Sequence, residues 1–491
     1  MSDTQAADPA PPAAPRPVDG PVRHSGAVLA VLLVAMFMAQ FDFFVVNVAA
    51  PSIARDLHAG PVLVELVVAG YAFAYASGLI TGGRLGDLYG HRRLYLVGMT
   101  AFALASLFCG LAQNAWQLVA ARMLQGLTGA LMVPQVLATI TATFPPAERP
   151  RALAWFGVVG GLGSVTANLL GALLINTGVL GLGWRAIFLV NLLVAAAALA
   201  FAVRLLPPNR PSRRQGLDPV GALGIACTVG LVLVPLSVGN TEGWPAWSWA
   251  CLAAALPVGA ATLRWQQAQR ARGGSPVLDL SLFRARGFAA GLVAGAAFLA
   301  YFAGFLFAFT QFLQVGRGYP PLHAGLIVAC SAVMFSAGAL SAARLVRRHG
   351  LRVVVAGGLL TVLGLALLMV QLTAFGIDTP TAGLVLAVML IGTGNGAVLP
   401  QLIGAAMVGV RREQAGIGAG VLNTAQQFGS SAGVSIVGAV FFGIAGPVPA
   451  AGVVVGGQQH ATAMAVVAAI DIGLVLLVTG VLALNARAAR S

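Results

Sequence analysis

Apolar segments of about twenty residues recur along the whole chain. We count about fourteen of them between Ala27 and Leu484, and short loops that carry most of the charge separate them. A bilayer-spanning helix needs roughly 20 apolar residues, and only helices or closed barrels satisfy their backbone hydrogen bonds inside lipid. The pattern therefore predicts an all-α integral membrane protein with about fourteen transmembrane helices.

The composition agrees with a membrane environment. Of the 491 residues, 58% are hydrophobic and only 9% are charged, whereas a soluble domain carries about 25% charged residues. A formal net charge of +14 would suit a nucleic-acid-binding protein. The arginines, however, are scattered through short loops and form no basic domain. We expect contact with membrane lipid and no binding of nucleic acid.

The chain contains no lysine, so all 28 strongly basic residues are arginine. This excludes a GxxxxGK[ST] phosphate loop, whose lysine reaches the terminal phosphates, and also a lysine Schiff base. An ion gradient is therefore favoured over ATP as the energy source, unless a partner chain supplies ATPase activity. We also find no DDxxD or HExxH pattern, and we expect neither enzymatic activity, nor a bound metal, nor a cofactor.

The loop charges predict the orientation. If the amino terminus is cytoplasmic, only Arg55, Arg185 and Arg317 among the loop arginines face outward. Cytoplasmic loops of membrane proteins carry the excess of positive charge. We expect a multi-pass protein of the cell inner (plasma) membrane with an even number of helices and both termini in the cytoplasm.

A weak internal repeat predicts two related halves. Residues Gly83–Arg92 are similar to Ala343–Arg352, and Met123–Gly126 are similar to Met389–Gly392. This spacing fits two six-helix bundles with a pseudo-two-fold relation plus two extra central helices, and related halves around a midplane site are a transporter plan. The predicted divisions are a disordered tail (1–25), an amino-terminal six-helix bundle (26–206), two linker helices with a cytoplasmic loop (207–286), a carboxy-terminal six-helix bundle (287–485) and a tail (486–491).

Asp42 is the only formal charge in the first apolar segment. A carboxylate at the bilayer centre costs about 2.5–3.5 kcal/mol on insertion scales and usually faces a cavity or a partner. Arg122 in the fourth segment and Glu65 in the second lie at a similar depth, given a rise of about 1.5 Å per residue. A guanidinium favours the ionised form of a carboxylate and burial favours the protonated form. We therefore expect Asp42 to carry a proton, with Arg122 tuning it; the alternative is an ion pair that only joins two helices. Glu65 is a further candidate for proton coupling, and the alternative is that its carboxylate near the interface reaches water.

Asp471 is the only acid inside an apolar segment of the carboxy-terminal half. It is either a second titrating site or a polar contact with a neighbouring helix. The sequence leaves both interpretations open.

Three segments resemble one known family. Residues Gly83–Arg93 resemble the signature between helices two and three of the major facilitator superfamily, and Arg122–Ala130 resemble its arginine motif in helix four. Residues Asp42–Pro51 resemble the first-helix signature of its fourteen-helix drug:proton antiporter branch. The resemblance implies a proton-coupled secondary active transporter that exports hydrophobic small molecules, such as drugs or antibiotics, by alternating access. It also implies a conformational latch between the two halves, formed by Gly83, Asp87, Gly90, Arg92 and Arg93.

The fifth helix departs from the antiporter pattern. Antiporters of this superfamily resemble GxxxGPxxGG there, whereas this chain has Asn168 at the proline position and alanine at two glycine positions. This departure keeps a second function open, a proton symporter or uniporter for a small metabolite. A receptor or scaffold that transports nothing would have no need of a buried acid and base.

Aromatic and amide side chains in the apolar segments are candidates for the wall of a substrate cavity. Such a wall suits a flat, weakly polar guest, although lipid-facing aromatics look the same in sequence. We expect a small-molecule substrate and protons as partners, and a monomer. The predicted cavity residues are Phe41, Tyr71, Gln125, Asn168, Gln311, Asn423 and Gln427.

Overall fold

The computed structural model describes residues 25–176, 181–207, 218–239, 243–274, 276–284, 287–350, 352–446 and 457–488. These residues form fourteen α-helices and no strand. The helices are α1 (Ser25–Asp56), α2 (Pro61–Tyr89), α3 (His91–Gly110), α4 (Ala115–Thr143), α5 (Arg149–Asn176), α6 (Ala186–Leu205), α7 (Pro219–Val238), α8 (Ala246–Ala271), α9 (Phe288–Gln311), α10 (Pro321–His349), α11 (Arg352–Phe375), α12 (Thr381–Met407), α13 (Ala415–Ala445) and α14 (Gly457–Ala488).

By length and composition, 13 helices within the described residues are able to cross a membrane. The helix outside that set, α5, has 28 residues, which at about 1.5 Å per residue is long enough to span the hydrocarbon core. The all-α membrane fold is thereby confirmed, with the count of fourteen as an approximate value. Residues 1–24 and 489–491 of the predicted tails lie outside the described residues.

Local signals set the ends of several helices. Gly90 separates α2 from α3 with φ of 97°, a backbone conformation that glycine adopts without strain. Asn114 caps α4 because its side chain accepts a hydrogen bond of 2.9 Å from the Gln117 backbone amide. Asp218 caps α7 in the same way through the Gly221 amide, also at 2.9 Å.

The helices pack as two bundles related by a shift of eight helices. In the amino-terminal bundle, α1 packs on α5, α2 on α4, and α3 on α6; in the carboxy-terminal bundle, α9 packs on α13, α10 on α12, and α11 on α14. Each contact in one bundle thus has its counterpart in the other. This equivalence confirms the predicted pseudo-two-fold relation of two six-helix bundles.

Two helix pairs form the main seams between the bundles. One seam is α2 against α13 and the other is α5 against α10, and these pairs are equivalent under the same shift. The extra helix α7 lies across the first seam: Ser77 on α2 donates to the carbonyl of Ala226 at 3.5 Å, and Ser435 on α13 donates to the carbonyl of Leu236. Helix α8 packs on the outside of α7.

The two ends of the bundle differ in charge. We call the end at which α2 stops and α3 begins the basic face, because arginines crowd the described helix ends there, among them Arg92, Arg204, Arg270 and Arg348. The opposite face carries Arg55, Arg185 and Arg317.

Candidate functional site

Asp42 and Arg122 form an ion pair inside the amino-terminal bundle. Both side chains have no solvent exposure, and Arg122 Nη1 donates to Asp42 Oδ2. The other carboxylate oxygen, Oδ1, accepts hydrogen bonds of 2.9 Å from Gln125 Nε2 and from Asn191 Nδ2. Helices α1, α4 and α6 therefore meet at this one carboxylate.

Helix α2 and an aromatic ring hold the guanidinium of Arg122. Its Nε donates to the carbonyl of Val67 at 3.3 Å, and its Nη1 donates to Gln125 Oε1 at 2.8 Å. Its central carbon lies 4.3 Å from the centroid of the Tyr71 ring, a cation–π contact that is worth about 2 kcal/mol when desolvated. The Tyr71 hydroxyl in turn donates to the carbonyl of Ala39 on α1 at 3.1 Å.

Two residues of this network were missed in the sequence. Asn191 is the only amide in α6, where all other residues except Arg204 are apolar, so its isolation was a usable signal. Ser106 on α3 contacts Gln125 at 2.5 Å and Asn191 at 3.2 Å. A single serine in an apolar helix carries no comparable signal. With Tyr71 on α2, the network thus draws one polar side chain or more from each of five helices.

This arrangement couples charge to geometry. A buried ion pair is stable only when the remaining hydrogen-bonding capacity of both partners is used, and removing one charge leaves the other uncompensated at a cost of about 3–5 kcal/mol. Protonation of Asp42 removes the countercharge of Arg122. Loss of this countercharge favours a rearrangement of the network. In the arrangement seen here, the three donors around Asp42 favour its ionised form.

The other predicted site residues are distributed more widely. Glu65 and Asn168 lie in α2 and α5, and their side chains lie outside the described residues. Tyr71 and Gln125 belong to the network around Asp42 rather than to a cavity wall. Phe41 is buried beside it, and half-buried side chains at Gln311 on α9 and at Asn423 and Gln427 on α13 complete the set.

A cavity of about 820 Å³ opens at the basic face between α1, α5, α6 and α10. None of the seven predicted cavity residues is among the residues that line it. The wall is aromatic and aliphatic with a basic rim. It includes Phe37, Phe144, Trp155, Leu340, Arg151 and Arg344.

Helix α1 connects this cavity with the ion pair. The ring of Phe37, in the cavity wall, stacks on the ring of Phe41 with 6.0 Å between centroids. Phe41 precedes Asp42 in the chain. A small molecule that displaces the Phe37 ring from the cavity wall would therefore also move Phe41, the neighbour of Asp42 in the chain.

The predicted latch residues join the two bundles at the basic face. Asp87 Oδ1 accepts a hydrogen bond of 2.8 Å from the Gly416 amide, and Oδ2 accepts one of 2.9 Å from the Ile417 amide. These amides are in the first turn of α13, where the helix dipole favours a negative charge. A Cβ atom on Gly83 would lie 2.0 Å from the Gly416 carbonyl oxygen, so only glycine permits this approach.

The remaining latch residues act within the amino-terminal bundle. Gly90 makes the turn between α2 and α3, and Arg92 donates to the carbonyl of Val203 in the last turn of α6 at 2.5 Å. Arg93 is exposed at the start of α3. His91 supports Asp87 with its Nε2 3.5 Å from Asp87 Oδ1.

The loop after α8 is attached beside the latch. Gln414, just before α13, donates to Asp279 Oδ2 at 2.8 Å, and Arg270 Nη1 lies 2.7 Å from Asp279 Oδ1. Burial works against the ionised form of Asp279, but hydrogen bonds from Ser281 and the charge of Arg270 keep the pKa of this carboxyl below its usual value. The linker helices are thereby tied to the first turn of α13.

On the opposite face, one ion pair joins α1 to the start of α6. Asp56 Oδ2 lies 2.5 Å from Arg185 Nη1 and accepts a hydrogen bond of 2.9 Å from Trp184 Nε1. These hydrogen bonds, that from Arg185 foremost, lower the pKa of Asp56 below its usual value. The pair is partly exposed, so its contribution to stability is small.

Comparisons with known proteins agree on one family. Residues 32–434 match the model of the Major Facilitator Superfamily. The chain is 34% identical over 481 residues to the probable actinorhodin transporter of Streptomyces coelicolor, which covers 95% of this chain and 83% of that protein. It is also 32% identical over 423 residues to the tetracenomycin C resistance and export protein of Streptomyces glaucescens, covering 84% of this chain and 74% of that protein.

Solved structures show the same fold at low sequence identity. The proton:xylose symporter XylE aligns with a TM-score of 0.61 at 13% identity, covering 92% of this chain and 94% of the other. The human organic anion transporter MFSD10 aligns with a TM-score of 0.60 at 16% identity, covering 92% of this chain and 99% of the other.

Proposed function

Because the chain belongs to the major facilitator superfamily, we propose that it exports hydrophobic small molecules such as antibiotics by alternating access, driven by proton entry across the cell membrane. The observation that carries the proton coupling is the buried pair of Asp42 and Arg122 with its complete set of donors. The curated relatives are named for the export of actinorhodin and for resistance to and export of tetracenomycin C, which supports an antibiotic as the substrate.

The proton step takes place at the Asp42 carboxylate. A proton that enters from outside binds one carboxylate oxygen and turns the acceptor of Arg122 into a neutral acid. Arg122 then has only neutral acceptors, which are the protonated acid, Gln125 Oε1 and the backbone carbonyls of Val67 and Asp42. Because an uncompensated buried cation is costly, α1 and α4 shift relative to each other, and the proton leaves on the inner side when the ion pair forms again.

The latch transmits this shift between the bundles. Gly83 and Asp87 hold α2 against α13 at the basic face, which is the cytoplasmic side in our proposal, and Gly90, Arg92 and Arg93 complete the proposed latch within the amino-terminal bundle. Opening this seam towards the cytoplasm breaks the two hydrogen bonds that Asp87 accepts from the first turn of α13. Each change between the outward-open and inward-open forms thus replaces these two charge-assisted hydrogen bonds with hydrogen bonds to water, or forms them again.

The substrate is proposed to enter by the cavity at the basic face. Its volume of about 820 Å³ is within the range of roughly 300–1,000 Å³ of small-molecule sites. On α13, Asn423 Nδ2 and Gln426 Nε2 are buried and have no hydrogen-bond partner among the described residues. These donors are available to polar groups of a largely apolar guest as the bundles rock.

The proposal is tested with Asp42→Asn in proteoliposomes under an imposed pH gradient, with actinorhodin and tetracenomycin C as probe substrates. We expect loss of substrate-driven proton movement, because the amide cannot carry the proton, while exchange of substrate across the membrane persists. The matched control is Asp378→Asn, an exposed acid on a loop. Proton movement at the rate of the unmodified protein in Asp42→Asn would reject the proposal.

The direction of the two fluxes separates export from the alternative function. In everted vesicles, antiport moves protons out as the antibiotic enters, whereas a symporter moves both in the same direction. A uniporter moves substrate without any response to the pH gradient.

A further inference from the structure

The carboxy-terminal bundle contains a second buried polar cluster. Tyr301 on α9 and Asn395 on α12 are hydrogen-bonded, with contacts of 3.1 Å to Asn395 Oδ1 and 2.9 Å to Asn395 Nδ2. Thr361 on α11 donates to Asn395 Oδ1 at 3.2 Å. All three side chains are buried. Asp471 on α14 is also buried and lies within electrostatic reach of the Tyr301 hydroxyl.

This cluster uses the counterpart helices of the Asp42 network. Asp42, Ser106, Gln125 and Asn191 come from α1, α3, α4 and α6. A shift of eight helices gives α9, α11, α12 and α14, the helices of the second cluster. The acid, however, is on the first helix of one bundle, α1, and on the last helix of the other, α14.

The two acids differ in their partners. Asp42 accepts hydrogen bonds from Arg122, Gln125 and Asn191, whereas neither oxygen of Asp471 has a hydrogen-bond partner in the described structure. Asp471 nevertheless has no solvent exposure. An ionised carboxylate in such a place would bear its whole desolvation cost, and a buried group in this position takes up a proton instead.

No neighbouring helix supplies a compensating charge at that depth. Among the described elements, helix α14 packs on α9, α11 and α13 and on the turns Phe312–Gly316 and Gly376–Asp378. The one titratable residue of these turns, Asp378, is an exposed acid at the face opposite the basic face and supplies no positive charge. In α9 the only titratable residue is Tyr301, and α13 has none. The only titratable residue in α11 is Arg352, its first residue. Gly358 of α11 lies against Thr479, which is two turns past Asp471 on α14. Arg352 lies further still towards the basic face. On α14 itself, His460 lies three turns from Asp471 in one direction, and Arg487 lies more than four turns away in the other, at the last residues of the helix.

We propose that Asp471 is a second proton-binding site, protonated in the conformation seen here, and that export therefore consumes two protons per cycle. The step is a simple protonation: one proton adds to a carboxylate oxygen and leaves as the carboxy-terminal bundle moves and water reaches the acid. The count of two protons per cycle rests on the proposed proton-driven export. The protonation of Asp471 does not, because it is a property of the resting protein.

The first test examines that resting state by infrared spectroscopy of the full chain in liposomes at neutral pH. The difference spectrum between the unmodified protein and Asp471→Asn should contain the carbonyl stretch of a protonated carboxyl group. Asparagine has the shape of the neutral acid, so the variant should fold. The matched control, Asp378→Asn, removes an exposed acid and should leave the band of the protonated carboxyl group unchanged. Ionised-carboxylate bands in the difference spectrum of Asp471→Asn would overturn the proposal.

The second test counts protons. With actinorhodin as the probe, a pH gradient of one unit and zero membrane potential, each coupled proton supports a roughly tenfold accumulation, since about 1.4 kcal/mol is a factor of ten. We expect about 100-fold accumulation by the unmodified protein and about tenfold by Asp471→Asn.

The outcomes of the two tests separate this inference from the proposed function. Unchanged accumulation in Asp471→Asn, with the protonated band present, would make the acid a permanent structural group and overturn the second proton. If Asp42→Asn still abolishes coupling in that case, the proposed function stands and only this inference fails.

Discussion

Asn191 holds one oxygen of Asp42 from a helix that is otherwise apolar. Asn191→Leu keeps the approximate size and removes the donor, and a hydrogen bond to a charged group is worth about 1.5–3 kcal/mol. We expect a lower thermal unfolding temperature of the purified protein in detergent, together with impaired proton coupling. Asn47→Leu is the matched control, because Asn47 is exposed and bonds only locally to the Phe44 carbonyl. Equal unfolding temperatures for the two variants would contradict this role of Asn191.

For single residues, the sequence predicted which charged side chains are buried in the membrane, but not which polar side chains contact them. Asp42 and Arg122 could be predicted because a charge inside an apolar segment is costly and needs a reason. Asn191 and Ser106 could not be assigned to them, since their contacts depend on how α3 and α6 rotate in the bundle. Tyr71 and Gln125 illustrate the same limit: their chemistry suited a cavity wall, and the packing of α2 and α4 places them around the ion pair instead.

Helices α2 and α13 approach each other most closely where Gly83 faces Gly416. Gly83→Ala puts a methyl group 2.0 Å from the Gly416 carbonyl oxygen, so the helices must separate and the hydrogen bonds to Asp87 lengthen. Losing one such bond, about 1.5–3 kcal/mol, shifts the balance between open and closed forms by roughly ten- to hundredfold. We expect faster hydrogen exchange in the first turn of α13, measured by mass spectrometry, and slower export.

The control for this prediction is Gly443→Ala on the same helix. A Cβ atom there meets nothing within 4 Å, and alanine favours a helix. Hydrogen exchange in the first turn of α13 should stay as in the unmodified protein. If Gly83→Ala also leaves that exchange unchanged, the latch does not depend on close approach of the two helices.

Elements were more predictable than their partners. A run of roughly 20 apolar residues predicts each helix. Gly83, Asp87 and Gly90 predicted a turn with a specific role between α2 and α3. The donors to Asp87 could not be predicted, because they are the backbone amides of Gly416 and Ile417, and a backbone amide has no signature in sequence. The cavity between α1, α5, α6 and α10 could not be predicted either, since its shape depends on how α10 of the carboxy-terminal bundle packs against the amino-terminal bundle.

For the whole molecule, the pseudo-two-fold relation places the two buried acids in one scheme. The contacts of α1–α6 recur in α9–α14, although few residues in the two halves are identical in sequence. Helix packing is therefore what the halves share, and the polar residues on it have diverged, with an ion pair in one half and a single acid in the other. Because the two bundles share their helix packing but differ in their buried acids, they can respond differently to the same proton gradient.

The charge asymmetry of the whole molecule predicts its orientation. Of the arginines within the described residues, many crowd the basic face and three lie on the opposite face, so the basic face should be cytoplasmic under the positive-inside rule. To measure this, the four native cysteines are replaced by alanine and one cysteine is introduced at an exposed position, as His58→Cys on the opposite face or Arg272→Cys on the basic face. A membrane-impermeant maleimide applied to intact cells should label the first variant and not the second. Everted vesicles should reverse the result. Labelling of Arg272→Cys in intact cells would invert the molecule, and with it the direction in which protons must flow to drive export.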